Sequence, residues 1–216
     1  LFSSLQTSGP YSLEPLAMGR RALKNFCLGM LIDFNSEKYD SLGSEQYTNA
    51  NNDTDRLFAL WSLTLFSAPS AKVCLRDFYE RHQEEPAVLD GWFGMQAMRI
   101  PKNHGETLQT IQELAKDPAF SWTNPNRVTS LLATFFYSNP LAFHNLDGSG
   151  YEFWKEVIVK LDALNPILAS MMARANLNWR KLSNNHQILI EKNMRDLLET
   201  GSLSTHAREI ISKALA

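Results

Sequence analysis

A helical zinc hydrolase sets two histidines four residues apart, so that both imidazoles reach one ion, and places a glutamate between them to activate water. His82, His104, His144, His186 and His206 lie at least 20 residues from one another, and His82-Gln83-Glu84-Glu85 lacks the second histidine. That spacing assigns no metal and no catalytic residue to this chain; exposed or hydrogen-bonded structural histidines are expected. Asp147-Gly148-Ser149-Gly150 has the glycines of a phosphate-cradling loop without its lysine or its full spacing, and it does not fit the G-x-S-x-G nucleophile elbow. It reads as a tight turn in which Asp147 or Ser149 caps a helix beginning near Tyr151. Asn124-Pro125-Asn126-Arg127 is more suggestive, because it sets a long cation in a first helical turn, where the helix dipole does not favour it. Such a cation calls for a partner, either a carboxylate or carbonyl of its own fold or a ligand at a binding surface. Arg20-Arg21 and Arg180-Lys181 read as solvated helix faces.

The elements that must position these residues are helices. Thirty Leu stand against 14 Val and Ile together, a composition rich in a good helix former and short of the β-branched residues that strands favour. Val128, Leu131, Leu132, Phe135 and Phe136 follow the i, i+3, i+4, i+7, i+8 pattern of one helical stripe. Trp154, Val157, Ile158 and Leu161 give another, as do Leu168, Met171, Met172 and Ala175, and Leu203, Ala207, Ile210, Ile211 and Ala214. Leu16, Leu23, Cys27, Met30 and Leu31 suit a helix from about Pro15 to Ile32, and Leu57 to Phe66 is apolar on nearly every side, as in a central helix. Asn124-Pro125, Asn139-Pro140 and Asn165-Pro166 each put a capping side chain before a proline suited to the first helical turn. Asn35 to Asp55 is the main irregular interval, with room for a short helix. Breaks every 10 to 20 residues favour an all-α, irregular superhelical stack of antiparallel helix pairs, α-solenoid-like, over a compact orthogonal bundle.

The whole composition narrows the function. With 21 basic and 23 acidic residues the 216-residue chain is not a dedicated nucleic-acid binder, and 44% hydrophobic residues suffice for a substantial core. No apolar run approaches the roughly 20 residues that span a bilayer. Cys27 and Cys74 cannot form a disulfide framework and fit buried thiols in a reducing cytoplasm. A single domain over residues 1–216 is expected, with 1–10 as a flexible or linking segment.

Several segments in order resemble the C-terminal domain of the aminopeptidase N family, the zinc-dependent alanyl aminopeptidases of bacteria. They are Gly19-Arg20-Arg21-Ala22-Leu23-Lys24-Asn25, Asn52-Asp53-Thr54-Asp55-Arg56, Asp90-Gly91-Trp92-Phe93 with Gln96-Ala97, and Asn124-Pro125-Asn126-Arg127-Val128. Asn139-Pro140-Leu141-Ala142-Phe143-His144, Asp147-Gly148-Ser149-Gly150-Tyr151, Asn165-Pro166 with Ala169-Ser170, and Ile210 to Leu215 continue the match. The resemblance implies an all-helical superhelical domain closing over an upstream catalytic domain of the same protein and shaping the access of peptide substrates. It implies zinc in that parent domain, whose H-E-x-x-H and G-x-M-E-N motifs do not occur in these residues, and no cofactor in this chain. The isolated 216 residues are expected to be inactive. Arg127, with Asn124 and Asn126, becomes a candidate for the substrate channel. Where relatives carry a basic residue after Ala169-Ser170, this chain has Met171. The competing reading is a free-standing helical-repeat module that binds a peptide or protein in a concave groove.

Overall fold

The computed structural model describes residues 1–7, 9–103, 105–201 and 203–216, and the fold within them is all helical, with no strand. The packing divides the chain into two compact units, Leu1–Met95 and Gln96–Ala216, at a point that no Pro, Gly or charge-rich linker marks. His104 lies outside the described residues.

The first unit is built from α1 (Pro15–Phe34), α2 (Asp40–Asn49), α3 (Asp53–Leu65), α4 (Ala71–His82) and α5 (Pro86–Ala97), whose last turn crosses the division. Helix α3 packs against α1, α2 and α4 and buries Ala59, Leu60, Ser62 and Leu63 completely, which is the central place its all-round apolar sequence calls for. Helix α2 occupies the interval read as irregular. Asn52 starts α3 by accepting the Asp55 amide. Before α1, Phe2 is buried beside a 3-10 turn at Ser3–Leu5.

The second unit runs through α6 (Glu106–Leu114), α7 (Pro125–Val128), a π turn at Thr129–Ala133, α8 (Thr134–Ser138) and α9 (Pro140–Phe143). It continues with α10 (Ser149–Leu164), α11 (Pro166–Ala173), two 3-10 turns, α12 (Asn184–Glu199) and α13 (Thr205–Leu215). The three Asn-Pro pairs start α7, α9 and α11 as expected. Asn124 accepts the amides of Asn126 and Arg127, Asn139 that of Ala142, and Asn165 those of Ile167 and Leu168. Asn139 is also buried and donates its amide to the carbonyls of Ala97 and Arg99, so one side chain starts a helix and anchors the segment after α5. The Val128–Phe136 stripe is buried throughout. Phe135, Phe136, Phe143 and Phe153 make a cluster of tilted and edge-on rings, and Trp154 and Trp179 each donate an indole N–H to a carbonyl, of Met172 and Ala214. Arg180, read as a solvated face, bonds the carbonyls of Ala214 and Leu215 at the end of α13, where the dipole welcomes a cation.

Helix α1 differs from its sequence pattern. It forms where expected, but its packed side is Lys24, Asn25, Leu28, Gly29 and Ile32, while Leu16, Leu23 and Met30 lie exposed. An apolar period fixes the helix without saying which side meets α3. Gly29 lies on that side, against Phe58 and Ser62 of α3.

Candidate functional site

The Asn124-Pro125-Asn126-Arg127 corner does not gather three side chains into one space. Asn124 spends its oxygen on the cap, Asn126 is exposed, and Arg127 is buried, only 5% of it reaching solvent. The Arg127 Nη1 donates to the carbonyl of Ala119 at 2.6 Å, so the guanidinium ties the loop before α7 to the start of that helix. In the same loop Trp122 donates to the Ala115 carbonyl, packs edge-on to Phe120 and carries the Lys160 ammonium 3.8 Å over its ring. An internal carbonyl is thus one partner of this cation. Met171 uses its backbone carbonyl, which accepts from the Tyr137 hydroxyl.

Spacing missed a second cluster, because its third member, His186, lies 35 residues beyond Tyr151. The hydroxyl of Tyr151, on α10, lies 2.8 Å from Nδ1 of His144, after α9, and 3.1 Å from Nδ1 of His186, on α12. Tyr151 is fully buried. With one proton, the hydroxyl donates to one imidazole and accepts from the other, so the ring that accepts carries no proton on its Nδ1. Burial pushes the Tyr151 hydroxyl far above its ordinary range and holds the His144 imidazole below 6.5, with His186 adding repulsion. An imidazole whose folded pKa is depressed takes up more protons when unfolded. Stability is therefore present above about pH 6.5 and lost as pH falls from there toward the folded value. The melting temperature is expected to fall between pH 7 and pH 5, and His144→Gln to flatten that part of the profile; an unchanged slope in the variant would refute the assignment.

A polar cleft of about 730 Å³ lies in the first unit, beside Arg20, Arg21, Lys24, Gln46, Asn52 and Asp55. Its buried groups bond one another only in part: Lys24 Nζ meets Asp55 Oδ2 at 2.6 Å, Asn52 donates to the same oxygen, and Gln46 donates to Asn25 and to the Asp55 carbonyl, while Gln46 Oε1 and Asp55 Oδ1 are buried without a donor. Arg21 bonds the Ser12 carbonyl and stacks over Tyr11. The Gly19–Asn25 and Asn52–Arg56 segments thus meet as structure.

Sequence comparison places this arrangement. All 216 residues match the family described as domain of unknown function DUF3458_C, ARM repeats. The chain belongs to this ARM-repeat family. The DUF3458_C segment is 34% identical over 209 residues to aminopeptidase N of Haemophilus influenzae, covering 95% of this chain and 23% of that protein. It is 32% identical over 216 residues to aminopeptidase N of Caulobacter vibrioides (100% and 25%), and 32% over 206 residues to that of Escherichia coli (95% and 23%). The chain thus spans about a quarter of the length of these relatives, in their C-terminal region. Among solved structures, that of Legionella pneumophila aminopeptidase A in complex with aspartic acid superposes with a TM-score of 0.87 at 26% identity, over 99% of this chain and 26% of that one. ARM repeats are stacked helical units, in keeping with the α-solenoid-like reading.

Among the described residues, no three of His, Cys, Asp and Glu converge as a metal site. No helix of the described residues is long and apolar enough to cross a membrane.

Proposed function

We propose that this chain is the C-terminal helical domain of a zinc-dependent aminopeptidase that releases N-terminal amino acids from peptides. Its part in that enzyme is to close the catalytic chamber and shape substrate access. The observation that carries the proposal is the nearly end-to-end alignment with the C-terminal region of aminopeptidase N at 32–34% identity. The zinc, the catalytic domain and the peptide substrates belong to the rest of the parent protein, and the free thiols Cys27 and Cys74 suit a reducing cytoplasm. A wall without reactive groups still serves catalysis, since excluding bulk water strengthens electrostatics in a chamber and confinement orients a bound peptide.

Within this reading Asn126 is the exposed side chain of the corner and Arg127 the buried brace that positions it. Purified with zinc, the intact parent is expected to hydrolyse short peptides and aminoacyl anilides, and to lose both activities on chelation. An intact protein without peptidase activity would end the proposal. Removing the brace takes the donor from a part-buried carbonyl, so Arg127→Ala is expected to cost about 1 to 2 kcal/mol in stability. It should also lower kcat/KM for peptides several-fold more than for anilides, because a longer substrate reaches farther from the metal. Equal loss on both substrates with unchanged melting would contradict this role.

A further inference from the structure

Among the described residues, helix α1 carries a run of exposed large apolar side chains that its own unit leaves uncovered. At 3.6 residues per turn, Leu16, Leu23, Phe26, Met30 and Phe34 fall within a stripe about 100° wide, with Cys27 and Gly19 inside it and no charged residue. That stripe lies opposite the side that packs on α3. All five large side chains are exposed, Leu16 and Phe34 to 81% each. An amphipathic helix at the surface of a domain is apolar on one side; a helix apolar on two opposite sides belongs between two layers. In stacked-repeat proteins the terminal units carry polar outer faces, and an apolar outer face is that of an internal repeat with a neighbour on each side.

From this we infer that the outer stripe of α1 is a repeat-to-repeat interface, occupied in the intact protein by a helical hairpin of the same ARM array contributed by the polypeptide preceding Leu1. The inference rests on the reading of this chain as the C-terminal quarter of a longer aminopeptidase, since it is the relatives' remaining three-quarters that supply the occupant. A second copy fits less well. The stripe is confined to one 20-residue helix, whereas a stable interface between copies typically takes roughly 800 Å² per partner, about 20–30 residues a side. A hairpin tethered in the same chain needs no such area, because the linkage gives it a high effective concentration. The occupant's contacting side must itself be apolar, with small residues opposite Phe26 and Phe34.

The test uses the intact protein with a benzophenone-bearing phenylalanine analogue replacing Phe26, irradiated and mapped by mass spectrometry. The expected cross-link falls within the ~40 residues, one repeat's length, that precede Leu1. Oxidation by dilute peroxide gives a second reading, because Met18 and Met30 are equally exposed within this unit, at 50% and 51%, and only Met30 lies on the stripe. Met30 is expected to oxidise at least tenfold more slowly than methionine in the unfolded protein. A cross-link to a distant part of the chain, to a second copy, or to nothing, with Met30 oxidising freely, would overturn the inference. Protection of Met30 in a protein devoid of peptidase activity would uphold this interface while removing the proposed function, so the two fail separately.

Discussion

Gly150→Ala is expected to unfold the second unit at ordinary temperature, whereas Gly91→Ala should leave the protein as stable as before or slightly more so. A Cβ at position 150 would overlap the carbonyl oxygen of Phe143, a backbone atom that cannot rotate aside. To admit it, α9 would have to move from the start of α10, and with it Phe143, whose ring is fully buried against Phe135, Phe136 and Tyr151. Overpacking a core with one methylene commonly costs 1–3 kcal/mol where side chains can give way. Here the backbone must yield and the aromatic cluster follows it, so a loss of about 4 kcal/mol or more is expected, comparable to the whole stability of a marginal domain. At position 91 nothing lies within contact of an added Cβ, and exchanging Gly for Ala in a helix gains up to about 1 kcal/mol. Thermal melting followed by far-UV circular dichroism separates the two variants. A folded Gly150→Ala protein melting within a few degrees of the parent would disprove the close approach.

The two glycines of Asp147-Gly148-Ser149-Gly150 also show where a sequence stops being legible. Their presence announces a turn, and the turn is there: Gly148 has φ of +77° and Asp147 accepts both the amide and the hydroxyl of Ser149. Nothing local tells that only Gly148 serves the backbone angle, while Gly150 makes room for a carbonyl seven residues earlier. The same boundary runs through the rest of the chain. Local chemistry, such as an asparagine before a proline or an apolar period of 3.6, placed the starts of α7, α9 and α11 and the buried stripe from Val128 to Phe136. What depends on distant partners was hidden, including the inward side of α1, the Tyr151 hydroxyl between two histidines and the carbonyl that Arg127 finds. The Asn-Pro-Asn-Arg corner drew notice because its charge sits badly with the helix dipole, and that conflict was real. One answer to it lies inside the fold, in the carbonyl of Ala119.

Lys24→Met is expected to cost about 3 to 5 kcal/mol, and adding Asp55→Leu to restore most of the loss. Only 9% and 7% of the two side chains reach solvent, and the ammonium lies 2.6 Å from Asp55 Oδ2. Removing one member of a buried pair leaves the other charge stranded, whereas replacing both by apolar groups is often nearly neutral, since two desolvation costs disappear with the attraction. Two features moderate the single loss without abolishing it. Asn52 still donates to Asp55 at 3.1 Å, and Asp55 stands in the first turn of α3, where the dipole favours a carboxylate. These same contacts set the order of the variants: Asp55→Leu alone strands Lys24 among groups that offer it no other carboxylate contact, so it should be at least as damaging as Lys24→Met. Denaturant midpoints of the two single variants and the double variant close the cycle. A Lys24→Met protein within 1 kcal/mol of the parent would show that the pair does not hold α1 on α3. The pair also bears on the outer stripe, because it fixes which side of α1 turns inward. Loosening it in the intact protein should accelerate oxidation of Met30 by letting the helix roll, and a Lys24→Met protein that melts early yet keeps Met30 protected would show that the neighbour on the outer side, and not the ion pair, sets the rotation of α1.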